Sequence, residues 1–217
     1  MSFLNKLTQS RKTILEMMKL RNYDIDKYNN YSSTELDIML KNMDKKLNYN
    51  NMPLDMTFDH SVSFPQDDKK CILKYIISRV RVSNLKTLIT ELIEYDIVKS
   101  NDTIIFIVKD KINNLDSFYS LFNSFLESNQ IFIQIFSIDN LIRNITNHEL
   151  VPKMRIISKE ELEIVKKKYN IENNSNLPLI LKSDPAAMFY GVKSGDVIEI
   201  TRTSETSGRY ICYRYCE

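Results

Sequence analysis

Apolar side chains recur at helical spacing from the start of the chain. Phe3, Leu7, Ile14 and Met18 fall on one side of residues 3–20, with Lys6, Arg11, Lys12 and Lys19 among the polar positions, which predicts an amphipathic helix. A second helix is predicted after Ser32, which forms a capping box with Glu35; Leu36, Met39, Leu40, Met43 and Leu47 keep its stripe. Residues 48–51 are a polar break. Beyond it, 54–58 and 62–64 alternate as the arms of a hairpin, and 71–80 reads as a longer strand. A helix over 84–98 presents Leu85, Leu88, Ile89, Leu92 and Ile93. Residues 104–108 are apolar without alternation, as a strand covered on both faces must be. Asn114 caps a helix with Leu115, Phe118, Phe122 and Phe125 inward, and 131–136 is another strand. Strands alternating with helices imply right-handed crossovers and a partly parallel sheet.

The pattern changes in the last third. All three glycines, Gly191, Gly195 and Gly208, lie there, beside turn-forming residues. Ser158 and Glu161 make a capping box ahead of Leu162, Val165 and Tyr169 at helical spacing. Asp184-Pro185 opens a short helix, with aspartate as cap and proline at the first helical position, and Gly191 ends it. A turn over 193–196, a strand over 197–200 and a turn over 204–208 lead to a last strand with Ile211, Tyr213 and Tyr215 on one face and Cys212 and Cys216 on the other. Residues 138–145 lead into His148, which sets a boundary near 146. The expectation is α+β with two modules: a larger α/β one over 1–146 and a small α+β one over 147–217, joined at a fixed angle without a low-complexity linker.

Composition narrows the chemistry. Of 30 basic and 28 acidic side chains, 11 and 9 fall within 150–217, leaving 19 of each before it, so neither part is a polycation and any nucleic-acid contact is local. Three cysteines form no even disulfide framework and, with two histidines, no zinc pattern. No apolar run reaches membrane-spanning length and no basic-then-apolar leader opens the chain, so a soluble intracellular protein is expected, with no membrane partner. Abundant Asn, Ile, Lys and Tyr with scarce Gly and absent Trp match A+T-rich coding, as in a large DNA virus or an A+T-rich microbe.

One succession of motifs carries a family resemblance. His148-Glu149-Leu150-Val151-Pro152, the capped helix, Leu177-Pro178, Ser183 to Ala186, Gly-x-Lys-x-Gly-Asp-Val from Gly191 to Val197, Ile200 to Arg202, and Ser204-Glu205-Thr206-Ser207-Gly208-Arg209-Tyr210 follow one another over about seventy residues. The stretch resembles the fifth subunit of eukaryotic DNA-directed RNA polymerase, shared by the three nuclear polymerases, and the H polypeptide that is its equivalent in archaeal RNA polymerase. Arg11-Lys12-Thr13 matches a segment of that family's opening helix, while Ala187-Met188-Phe189 replaces a more usual valine-containing helix.

The resemblance implies a non-catalytic subunit of a multisubunit DNA-directed RNA polymerase, with no cofactor of its own. Its C-terminal module would dock on the largest subunit, among other core subunits. Its N-terminal module would have an inactive restriction-nuclease-like sheet and would form the jaw beside downstream duplex DNA, within reach of transcription factors. The implied place is the nucleus in a cellular eukaryote, or the virion or viral factory for a virus. The docking candidates are Arg202, Glu205, Thr206, Arg209 and Tyr210, with Asp184 and Tyr190 as second choices; Asp184 also serves as a cap and Arg209 also suits a pair with Glu205. Arg11, Lys12, Arg79 and Arg81 are the phosphate-contact candidates by charge. His148, with Glu149 and Pro152, is expected to pin the junction between modules.

Two other functional classes remain open. A magnesium-dependent nuclease needs an acid on one strand and acid-x-Lys on the next. Asp59 with Asp68 and Lys70 is the nearest imitation, although Asp68 falls in a polar turn, where such charges are ordinarily a solvated corner. A free-standing transcription adaptor is the third reading. Gly-rich phosphate loops are excluded before residue 191, where there is no glycine.

Overall fold

The computed structural model describes residues 2–29, 31–41, 53–60, 70–112, 115–204 and 208–217. The chain divides into two compact units, Met1–Arg143 and Asn144–Glu217.

The first unit begins with α1 (Phe3–Leu20), whose N-cap Ser2 accepts from the Asn5 amide. Its stripe at Leu7, Ile14, Met17 and Met18 is fully buried, each side chain contributing about 1.5–3 kcal/mol. α2 (Ser33–Lys41) starts at the predicted capping box: the Glu35 amide donates to Ser32 Oγ, and the Ser32 amide donates back to Glu35 at 2.7 Å. Its continuation through Met43 and Leu47, and the predicted strand 62–64, lie outside the described residues.

Four strands follow in sheet order β1 (Met56–Asp59), β2 (Lys70–Ile76), β3 (Thr103–Val108) and β4 (Phe132–Ser137). β1 is antiparallel to β2, while β2, β3 and β4 are parallel. The crossovers run through α3 (Val82–Glu94) and α4 (Leu115–Asn129). Both connections step the same way across the sheet, so right-handedness puts both helices on one face. There Leu85, Leu88, Ile89, Leu92, Phe118 and Phe122 pack with Ile72, Ile104, Phe106, Ile133 and Ile135. The alternate residues point to the other face, where Arg21 at the end of α1 donates to Gln134 Oε1 at 2.8 Å. β3 is buried at all six positions, as its unbroken apolar run requires.

Some expectations shift. The strand predicted over 71–80 stops at Ile76, because 77–81 must leave the sheet to enter α3. Leu115, expected inward, is more than one-third exposed at the first position of its helix, before the turn that packs on the sheet.

The second unit is a sheet in the order β5 (Lys153–Ile156), β7 (Val197–Ser204), β8 (Gly208–Cys216) and β6 (Leu179–Ile180). β5 and β8 flank β7 antiparallel, and β6 is parallel to β8. α5 (Lys159–Tyr169) and α6 (Pro185–Tyr190) cover opposite faces: Val165 packs with Ile157, Leu177 and Val197, and Ala187 with Ile198, Ile200 and Cys216. Both bonds of the Ser158–Glu161 capping box form. Tyr169, expected on the apolar stripe, is half-exposed in the last turn, with its ring 6.1 Å from that of Tyr213 on β8. At φ +96° Gly195 takes a conformation that disfavours a side chain, and its amide bonds the Cys216 carbonyl at 2.9 Å, tying the turn to the last strand.

Candidate functional site

The C-terminal hairpin gathers the exposed docking candidates. β7 and β8 register Arg202 opposite Tyr210 and Thr203 opposite Arg209, because an antiparallel pair sets such partners side by side on one face. Arg202, Arg209 and Tyr210 are all exposed, Tyr210 at 55%. Glu205 and Thr206 lie outside the described residues, and so does any pair between Glu205 and Arg209. Ile211, next along β8, is 45% exposed and Leu181 is 62% exposed. The alternation of β8 was legible in advance, but that the strand is exposed on both faces from Gly208 to Ile211 and covered further along depends on how far the helices extend over the sheet.

The second-choice residues are used internally. Asp184 Oδ1 accepts from the Ala186 and Ala187 amides at 2.8 and 3.2 Å, capping α6. Tyr190 is half-buried, and its hydroxyl accepts from the Met154 amide at 3.3 Å, which ties α6 to β5. His148 closes its own turn: its Nδ1 accepts from the Leu150 amide at 3.2 Å.

A charge network beside the hairpin was not anticipated. Arg155 on β5 donates through Nε and Nη2 to both carboxylate oxygens of Glu199 on β7, at 2.9 and 3.0 Å. Its Nη1 reaches both oxygens of Glu161, at 2.8 and 3.0 Å. The Tyr213 hydroxyl donates to Glu199 at 3.1 Å. These contacts raise the Arg155 pKa, Glu199 first and Glu161 second. The Ser158 amide, then Arg155, lower that of Glu161. Only the cross-strand register brings Arg155 opposite Glu199, and with β5 unpredicted no sequence signal pairs them. The bidentate geometry makes this a brace for the sheet.

In the first unit the basic candidates separate. Arg11, expected among the solvent-facing cations, is 4% exposed. Its guanidinium lies over the rings of Tyr31 and Tyr28, at 4.8 and 5.9 Å, and Nη1 donates to the Leu54 carbonyl at 3.4 Å. Tyr28 and Tyr31 precede α2 and fold over the cation, so sequence charge alone misplaced it. Lys12, one position on, is exposed, as are Arg79 and Arg81. Arg79 and Arg81 lie between β2 and α3; Arg81 is the N-cap of α3 without a side-chain cap bond, and the first turn holds no acidic residue.

The nuclease imitation does not assemble among the described residues. Asp59 ends β1 opposite Lys70, but its carboxylate pairs with Lys27 at 3.4 Å on an open surface, and Asp68 lies outside them. Among the described residues no group of three or more His, Cys, Asp or Glu could hold a metal ion. All three cysteines are free thiols, Cys71 and Cys216 fully buried. No helix among the described residues is long and apolar enough to cross a membrane.

Comparison with known proteins agrees along the whole chain. Residues 143–216 match the family model described as RNA polymerase Rpb5, C-terminal domain. The chain is 32% identical over 216 residues, all of both chains, to the DNA-directed RNA polymerases I, II, and III subunit rpabc1 of Dictyostelium discoideum. It is 30% identical over 229 aligned positions to the subunit RPABC1 of the same polymerases in Caenorhabditis briggsae and in Caenorhabditis elegans, covering 96% of this chain and 94% of each relative.

Proposed function

The chain belongs to the family of the shared RNA polymerase subunit Rpb5 (RPABC1), and on that premise we propose that it is a non-catalytic subunit of a multisubunit DNA-directed RNA polymerase. It docks on the largest subunit through its second unit, with Arg202, Arg209 and Tyr210 in the contact and Glu205 and Thr206 as further candidates outside the described residues. Its first unit borders the downstream duplex. The catalytic magnesium and the nucleotide site belong to other chains.

The observation that carries this reading is the end-to-end alignment with a polymerase subunit, which leaves neither unit without a counterpart. Three further points support the details. The hairpin candidates are exposed while the fold uses Asp184 and Tyr190 internally. Lys12, Arg79 and Arg81 offer cations to phosphate, the latter two beside a helix start that bears no acidic side chain. Arg11 is assigned to packing instead.

The test is isolation of the tagged chain from its source. Stoichiometric co-purification with the largest polymerase subunit through a high-salt wash is the expected result; a sub-stoichiometric, salt-labile association makes the chain a free-standing adaptor. For the duplex, Lys12→Ala, Arg79→Ala or Arg81→Ala in the assembled enzyme should each lower the salt slope of DNA binding by about 1, alike for every DNA sequence. An unchanged slope removes that residue from the DNA-facing set.

A further inference from the structure

The second sheet ends in an unfinished edge. β6 covers β8 at two positions only, Leu179 against Tyr215 and Ile180 against Cys216. The Tyr215 amide donates to the Pro178 carbonyl at 2.9 Å and the Glu217 amide to Ile180 at 3.1 Å, both on the β6 side, whereas Cys216 donates to Asp196 on the β7 side. Backbone groups of an antiparallel strand alternate in direction, so the N–H and C=O of Arg209, Ile211 and Tyr213 point the same way as those of Tyr215. No strand among the described residues lies there. An open row of donors and acceptors beside exposed Tyr210 and Ile211 is a template for another strand.

We propose that β8 receives an extended, acidic segment of the largest polymerase subunit as a fifth strand, continuing the line that β6 begins. This rests on the docking reading above and gives it a mode: main-chain pairing supplies the attachment and side chains the selectivity. The acidic character follows from charge. Among the described residues of β7 and β8, Arg202, Arg209 and Arg214 are cationic, and the one carboxylate, Glu199, is already held by Arg155. A second copy of the same hairpin would set these arginines against one another.

Hydrogen exchange of the full chain, free and within the isolated polymerase, reads the pairing directly. The Arg209, Ile211 and Tyr213 amides should exchange about tenfold or more slowly in the assembly, while Tyr210 and Cys212, already paired to β7, change little. Ile211→Pro removes one outward N–H without touching the β7–β8 ladder; it should fold by circular dichroism and lose stoichiometric co-purification. Co-purification of the wild-type chain with those three amides exchanging as in the free chain overturns the strand and leaves docking intact. Failure of the wild-type chain to co-purify at all overturns docking itself. If Ile211→Pro does not fold, wild-type exchange decides. Concentration-dependent dimerisation that protects the same amides makes the occupant a second copy and refutes the proposal.

Discussion

The buried ion pair of the first sheet gives the sharpest test of how that unit is held. Lys74 Nζ lies 2.8 Å from Asp55 Oδ2, with side chains only 7% and 14% exposed, and Asp55 Oδ1 accepts from the Tyr75 amide at 3.2 Å. At that separation and an effective dielectric of about 20, the attraction is about 6 kcal/mol. Most of it offsets the desolvation of both charges, so breaking the pair should cost about 3 kcal/mol, chiefly from leaving an ammonium in a dry setting. Asp55→Asn keeps the shape and an acceptor for Tyr75 but removes the charge. It should therefore lower unfolding free energy by about 3 kcal/mol, and Lys74→Met, which leaves the more exposed carboxylate, by about 1–2 kcal/mol. The double variant should cost less than the sum, a coupling of about 2 kcal/mol. Urea unfolding followed by far-ultraviolet circular dichroism suits a chain without tryptophan. If Asp55→Asn stays within about 0.5 kcal/mol of wild type, the pair is solvated and the reasoning fails.

Other consequences are equally direct. Asp184→Ala removes both α6 cap bonds and should cost the second unit about 1 kcal/mol, read as a lower Tm with secondary structure unchanged. Glu161 has a folded pKa below its unfolded value, so its contribution is present above the ordinary carboxylate pKa and lost as pH falls through the depressed one; Arg155→Met should flatten the acid limb of the unfolding profile. Burial pushes the Cys216 thiol up to about 11. Its contribution is complete below the ordinary thiol pKa and lost as pH rises toward 11, and Cys216→Ala should remove that loss. In native buffer a thiol reagent should modify Cys212 well before Cys71 or Cys216, a sequence read by mass spectrometry.

Local chemistry was legible wherever it acts over three or four residues. The capping boxes at Ser32 and Ser158, the Asp184-Pro185 start and Gly191 stop of α6, and the unalternating run of β3 are all properties of neighbours along the chain. So is the motif succession from His148 to Tyr210 that marked the family. β5 and β6 escaped, because four and two residues hold no period of their own and become strands only when β7 and β8 offer them partners. Arg11 escaped for a related reason: its charge is written in the sequence, while the two tyrosines that cover it arrive from beyond the helix.

By itself the sequence determined the helices, the parallel core strands, the turn geometry and the family, because each depends on side-chain period, caps or motif order. Only the tertiary structure decided which cations face water, that Arg155 spans Glu199 and Glu161, and that among the described residues no strand covers β8 beyond the two positions paired to β6. Those depend on which surfaces other elements leave uncovered, and residues far apart in the chain settle that by packing.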